Sequence, residues 1–372
     1  MVLMALDHSR DFFSPTAFDP LDGSETTPTW YLARWITNFC APVFVFLAGT
    51  AAWYKGRKVG RVALSRWLVL RGFWLILAEV LLNNPIWFGN AWGTIGWFFS
   101  LQVLWAIGVS MICLGGLCRL RPIWAGIVAV AMILGHNLLD GVEVAPFGSQ
   151  GMRDILWALV HVNTLVPVAG RAVVLIHYPV VPWIGVLAAG WVWGGWFEGR
   201  ARRARASLLL GLGLIAAFVL IRGLNVYGDP DPWHASDRSA LHTLMSFMDC
   251  EKYPPSLSFL LMTLGPALVV LSLFERLPER ALRILVVFGR VPMFFYLLHV
   301  LVINAGASAM ALQAGRPLGW WWIASSGPFA GYEPSLAPGL IGWVLVVAGL
   351  YWPCVAWGRL KARRRHGWVD LF

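Results

Sequence analysis

Residues 36–58 read ITNFCAPVFVFLAGTAAWYKGRK. The first nineteen, Ile36 to Tyr54, contain no Asp, Glu, Lys or Arg, and then three cations fall within four residues, Lys55, Arg57 and Lys58. A run of about 20 apolar residues is what a helix needs to cross the hydrocarbon core of a bilayer. A cationic cluster directly after it marks the cytoplasmic side. The stretch therefore predicts a membrane span running inward.

The same alternation extends in both directions. Apolar runs cover 66–83, 96–118, 122–139, 179–197, 207–224, 256–274, 284–304 and 339–358, and a stub before Asp7 reads as the outer end of a first, truncated span. The expected architecture is all-α and polytopic, with about ten transmembrane helices. Composition agrees: 58% of the 372 residues are hydrophobic and 13% charged, against about 25% charged in a soluble domain. The net charge of +10 raises nucleic acid as a partner. The cations sit in short clusters between apolar runs, however, which fits a lipid bilayer and no nucleic acid.

Those clusters set direction. Lys55 to Arg71, Arg119 and Arg121, Arg200 to Arg205, Arg276 to Arg283 and Arg359 to Arg365 all fall on one face if the spans alternate. That face is expected to be cytoplasmic, with both termini on it. Residues 1–358 then form one transmembrane domain and 359–372 a basic cytoplasmic tail. The opposite face takes the loops 8–35, 84–95, 140–178, 225–255 and 305–338. The first helix begins too late to cross, so the natural chain is expected to extend upstream of Met1. Five cysteines without metal or paired spacing give no disulfide framework.

Four groups of residues carry chemistry. In DHSRD, Asp7 to Asp11, a carboxylate beside an imidazole suits a general base, while the plain alternative is a solvated helix end. In GRVPMFFYLLHVLVIN, residues 289–304, His299 lies about two thirds of the way along an outward span, close to Tyr296 and Asn304. An intramembrane imidazole is costly and marks a site, or it packs helices through a hydrogen bond. On this reading His8 and His299 share one depth, in the outer leaflet. The outer stretch RGLNVYGDPDPW offers Tyr227, Asp229, Asp231 and Trp233 to a sugar, or forms an ordered turn. On the cytoplasmic side, Arg66, Arg71 and Arg290 stand where guanidinium groups hold phosphates, or where they simply set topology. The buried polar residues Glu79, Asn83, Asn84 and Gln102 read mainly as glue between helices. The remaining histidines show no zinc spacing, and no G-x-S-x-G elbow occurs.

Six segments in order, LMALDHSRDFF, RWITNFCAPVFVFLAGTAAW, RGFWLILAEVLLNN, YPVVPWIGVLAAGWVWG, KYPPSLSFLLMTLGPAL and GRVPMFFYLLHVLVIN, resemble the heparan-α-glucosaminide N-acetyltransferase catalytic-domain family, which is related to the wider membrane acyltransferases. The resemblance covers essentially the whole chain. It implies a multi-pass enzyme of a bacterial inner membrane that modifies cell-envelope glycans. The acyl-CoA co-substrate, acetyl-CoA in characterised members, would bind from the cytoplasm, and the acceptor would be an extracytoplasmic sugar amine or hydroxyl. By motif position, His8 and His299 match the family's two histidines. The implied site has His8 as base or acyl relay, Asp7 or Asp11 orienting it, and His299 at the oxyanion. Arg66, Arg71 and Arg290 would take the coenzyme phosphates, and Arg10, Asn38, Tyr296 and Asn304 the acceptor. The Arg-Gly pair that opens the family's first helix is missing, and residues 9–35 hold no histidine. A homodimer is an open alternative to a monomer. The rival function is a multi-span transporter or flippase, which usually leaves internal repeats; none is visible.

Overall fold

The structure, a computed structural model, describes residues 1–168, 172–196 and 199–363. It is mostly helical. In chain order the elements are α1 (Val2–Phe13), α2 (Pro28–Trp35), α3 (Cys40–Val59), α4 (Arg61–Ala78), α5 (Asn84–Phe88), α6 (Trp92–Ile95), β1 (Trp97–Leu101), α7 (Val103–Leu117), α8 (Pro122–Gly135) and α9 (Met152–Val160). There follow β2 (Thr164–Val168), β3 (Ala172–Ile176), α10 (Val181–Trp196), α11 (Arg200–Leu224), α12 (Ala240–Met248), α13 (Leu257–Phe274), α14 (Glu279–Arg290), α15 (Pro292–Gln313), α16 (Trp320–Ser326) and α17 (Leu336–Arg363). Among the described residues, six helical segments are long and apolar enough to cross a membrane: Pro28–Val59, Pro122–Leu139, Ala201–Leu224, Leu257–Phe274, Pro292–Gln313 and Leu336–Arg363.

Several expectations need correction. The expected all-α membrane class holds, with one small addition: β1, β3 and β2 form a sheet in that order, β1–β3 parallel and β3–β2 antiparallel. β1 occupies the first residues of the run expected to span 96–118, so α7 is only 15 residues long. The expected span 284–304 is broken at Val291. There α14 stops and Pro292, whose ring suits the first turn of a helix, starts α15. His299 is thus the eighth of the 22 residues of α15, about a third of the way along rather than two thirds. His8 does not end its helix either, because α1 continues to Phe13. Of the tail, Arg359 to Arg363 extend α17, and Arg364 and Arg365 lie outside the described residues.

Without a hydrophobic drive between helices in lipid, close backbone approach and side-chain hydrogen bonds hold a bundle together. An added Cβ at Gly49 of α3 would overlap the Leu187 carbonyl oxygen of α10, and one at Gly190 would overlap that of Phe46. Thr50 donates to the Gly190 carbonyl at 3.0 Å across the same crossing. α4 and α7 meet in the same way at Gly72 and Gly108, with Ser65 donating to Gly115 O at 2.6 Å.

The buried side chains form two main clusters. One joins α3, α4, α7, α8, α10, α11, α13 and the first turns of α15. The other joins α1, α5, α14, α15, α16 and α17. The site lies where they meet.

Candidate active site

α1 presents Asp7, His8, Arg10 and Asp11 on successive turns, and its position is fixed from several sides. Ser14 accepts from Gly339 N at 2.9 Å, Trp343 donates to Val2 O at 2.8 Å, and Tyr332 donates to Pro15 O at 3.0 Å. α15 is fixed through Asn304, which donates to Ile86 O and Trp87 O at 2.7 and 3.0 Å. That clamp also sets Trp87, whose ring edge meets His8 at a centroid distance of 4.8 Å.

Between these helices, His8 Nδ1 lies 2.7 Å from His299 Nε2. His299 Nδ1 lies 2.8 Å from Phe295 O. A carbonyl only accepts, so His299 carries its hydrogen on Nδ1 and offers a lone pair at Nε2. With both rings neutral, the shared hydrogen then belongs to His8 Nδ1. His8 Nε2 keeps its lone pair, and among the described residues it has no hydrogen-bond partner. Phe295 stacks on His299 at 5.0 Å and 8°, which fixes the plane of the ring.

The carboxylates expected to orient His8 are engaged elsewhere. Asp7 accepts from Arg34 at 2.8 and 2.9 Å, from Thr37 at 2.9 Å and from Arg10 at 3.1 Å. Asp11 pairs with Arg10. The imidazole partner of His8 is His299. Arg10, expected to bind acceptor, is buried inside this ion-pair group.

His8 opens onto a cavity of about 280 Å³. Its walls include Asp7, Asp11 and Arg34, the aromatic rings of Trp87, Phe88, Trp321 and Trp322, and the residues that leave the parallel strands, Gln102 after β1 and His177 and Tyr178 after β3. Because β1 and β3 run in the same direction, both exits fall at one edge; His177 N and Tyr178 N each donate to Leu101 O, at 3.2 and 3.1 Å. Lys252 and Tyr253, just before α13, complete the wall. Burial, reinforced by the positive charges of Lys252 and Arg34, pushes the His177 imidazole down to about 3, so it is neutral at physiological pH.

Among the other expected site residues, Tyr296 packs beside His299 with ring centroids 5.9 Å apart, but it does not line the cavity. Asn304 is spent on the α5 clamp. Asn38 is buried without a partner for either side-chain polar atom. Arg66 and Arg71 stand on α4, and Arg290 stands at the end of α14, immediately before the break that starts α15. Asp229 and Trp233 form an ordered knot: Asp229 accepts from Ser256 at 2.6 Å and pairs with Arg222 at 3.5 Å, and Trp233 donates to Arg222 O at 2.8 Å, while Tyr227 donates to Leu134 O. Glu79 is glue: its carboxylate accepts from the first amides of α7, Leu104 N and Trp105 N, at 3.0 and 3.1 Å.

Sequence reasoning missed Arg34, Thr37, His177, Tyr178 and Lys252. The one signal for Lys252 was its place at the head of the KYPPSL segment.

The family model described as heparan-alpha-glucosaminide N-acetyltransferase, catalytic, matches residues 1–227. No curated protein matches the chain.

Proposed function

Since the chain belongs to the heparan-alpha-glucosaminide N-acetyltransferase catalytic family and is a membrane acetyltransferase, we propose that His8 is the general base that activates the acceptor and that His299 is its partner. We read residues 1–358 as one transmembrane domain in a bacterial inner membrane. In this reading ten segments cross it, α1 among them as a partial span, with both termini cytoplasmic.

Acetyl-CoA is the donor and enters from the cytoplasm, its phosphates held by Arg66, Arg71 and Arg290. α15 rises about 10 Å from Pro292 to His299 at 1.5 Å per residue. A pantetheine arm of roughly 15–20 Å, counted from its bond lengths, covers that rise. The acceptor is a carbohydrate amine or hydroxyl that enters the cavity from the opposite side. Aromatic walls suit the faces of a sugar ring.

The lone pair of His8 Nε2 takes the acceptor's proton as its oxygen or nitrogen attacks the thioester carbonyl. The imidazolium keeps its Nδ1 hydrogen bond to His299 Nε2, which stabilises the new charge and fixes the ring. Collapse of the tetrahedral intermediate breaks the carbon–sulfur bond, and the departing thiolate takes the proton back from Nε2. The same free nitrogen also allows a covalent acyl-His8 relay.

One observation supports this reading above the rest: a paired imidazole on a cavity wall with its outward nitrogen unpartnered. The test is acetyl-CoA consumption with a glycan or amino-sugar acceptor by the purified protein. Turnover that survives both His8→Ala and His299→Ala would remove these residues from the mechanism.

A further inference from the structure

We propose that Lys252 is an anion subsite of the cavity, taking a carboxylate or phosphate carried by the acceptor. The inference rests on the acyl-transfer reading for the identity of the acceptor, and on Lys252 itself for the charge. Lys252 is 8% exposed and lines the cavity. Among the described residues no carboxylate or carbonyl lies within bonding distance of its ammonium. Its one described side-chain contact is the ring of Tyr253, 5.1 Å away.

The other buried cations near the cavity are compensated. Arg34 is bidentate on Asp7, and Arg10 bridges Asp7 and Asp11. Arg10 and Arg34 thus take the two carboxylates of the cavity wall, Asp7 and Asp11, and among the described residues Lys252 makes no ion pair. An unpaired buried charge is strongly unfavourable unless something supplies its counter-charge. The backbone that carries Lys252 is braced on both sides of it. Tyr253 N donates to Glu251 Oε1 at 2.6 Å, and Ser256 N donates to Glu251 O at 2.9 Å. A second polar group on the same wall is unsatisfied: His177, whose ring lies 3.8 Å from that of Tyr253, has a buried and unpartnered Nδ1. A neutral imidazole beside an ammonium, both without protein partners, fits an oxyanion carried into the cavity.

The anion belongs to the acceptor rather than to the donor because Lys252 stands at the Leu257 end of α13, on the side of the strand exits. The coenzyme phosphates arrive from the opposite side.

The test uses the full chain in detergent and reads binding, which does not depend on turnover. The probes are methyl β-D-glucuronide, glucose 6-phosphate, the neutral methyl β-D-glucoside, and CoA. Charge-assisted contacts predict that at least one of the two anionic sugars binds about 10- to 100-fold more tightly than the glucoside. Lys252→Met abolishes that preference, Lys252→Arg keeps it, and CoA binding is unchanged in both. Equal binding of charged and neutral sugars overturns the proposal, and so does a preference that survives Lys252→Met. A loss of CoA affinity in Lys252→Met also overturns it, by assigning the anion to the donor. Acetyl transfer measured on the same preparation separates the two ideas. A charge preference without transfer counts against the catalytic reading alone, and transfer without a charge preference counts against the subsite alone.

Discussion

His8 Nδ1 and His299 Nε2 are 2.7 Å apart although 291 positions separate them in the chain. The contact makes the two rings one unit: the Phe295 carbonyl fixes the tautomer of His299, and His299 fixes that of His8.

Residues that act as a unit are not additive when removed. His8→Ala should lower the turnover number by about 10²–10⁴-fold, the usual contribution of a positioned base. His299→Ala should cost less, because the base remains but its tautomer is free. The double variant should be no slower than His8→Ala alone. Steady-state rates that multiply instead would separate the two roles.

Asp7 is the hub of a buried ion-pair group with Arg34, Arg10 and Thr37. Asp7→Asn leaves Arg34 without its counter-charge while Arg10 keeps Asp11, and breaking a buried pair costs roughly 3–5 kcal/mol. The expected result is a large fall in melting temperature in detergent. Adding Arg34→Met should restore part of it. A melting temperature unchanged in the single variant would show that the group contributes little.

The α3–α10 crossing leaves no room for a side chain at Gly190. Gly190→Ala should therefore sharply reduce the yield of folded protein. Gly126 is the control. The nearest side-chain atom to an added Cβ there lies 3.7 Å away, on Val192, and alanine is the better helix former by about 1 kcal/mol. Gly126→Ala should be neutral or stabilising.

Two carboxyls between α12 and α13 give a stability dependence on pH. Burial, with the charges of Asp19 and Asp229 adding to it, pushes Asp249 up to about 7, and burial pushes Glu251 up to about 6. Unfolded carboxyls titrate near 4, so between those values the folded state binds more protons. Their contribution is present at low pH and is lost as pH rises from about 4 through 7. Melting curves across that range should fall with pH, and Asp249→Asn should flatten the fall. A slope of opposite sign in the wild type, restored by no substitution here, would rule these carboxyls out as its source.

The helical, membrane-spanning character of the fold was legible in the sequence because apolar run length carries it. The sheet was not. Trp97–Leu101 is as apolar as the helix that follows, and a short apolar run does not distinguish strand from helix. The break before α15 had a visible cue in Pro292, but the continuous apolar run around it outweighed that cue. In the site, His8 and His299 could be matched by motif. The role of Asp7 could not, because adjacency in sequence suggested a partnership that helix geometry gives to Arg34. Lys252 was hidden among the chain's many cations: nothing in a sequence marks which one lacks a counter-charge.

The two clusters of buried side chains divide the labour of the site. α1 and α15 hold the paired imidazoles, and α15 joins both clusters through Tyr296 and Phe295. Arg34, Tyr178 and Lys252 come from segments attached to the other. Asp7 and Arg34, bonded at 2.8 and 2.9 Å, tie the two sides together at the wall of the chamber. Anything seated between Trp87 and Lys252 therefore bridges the two sides.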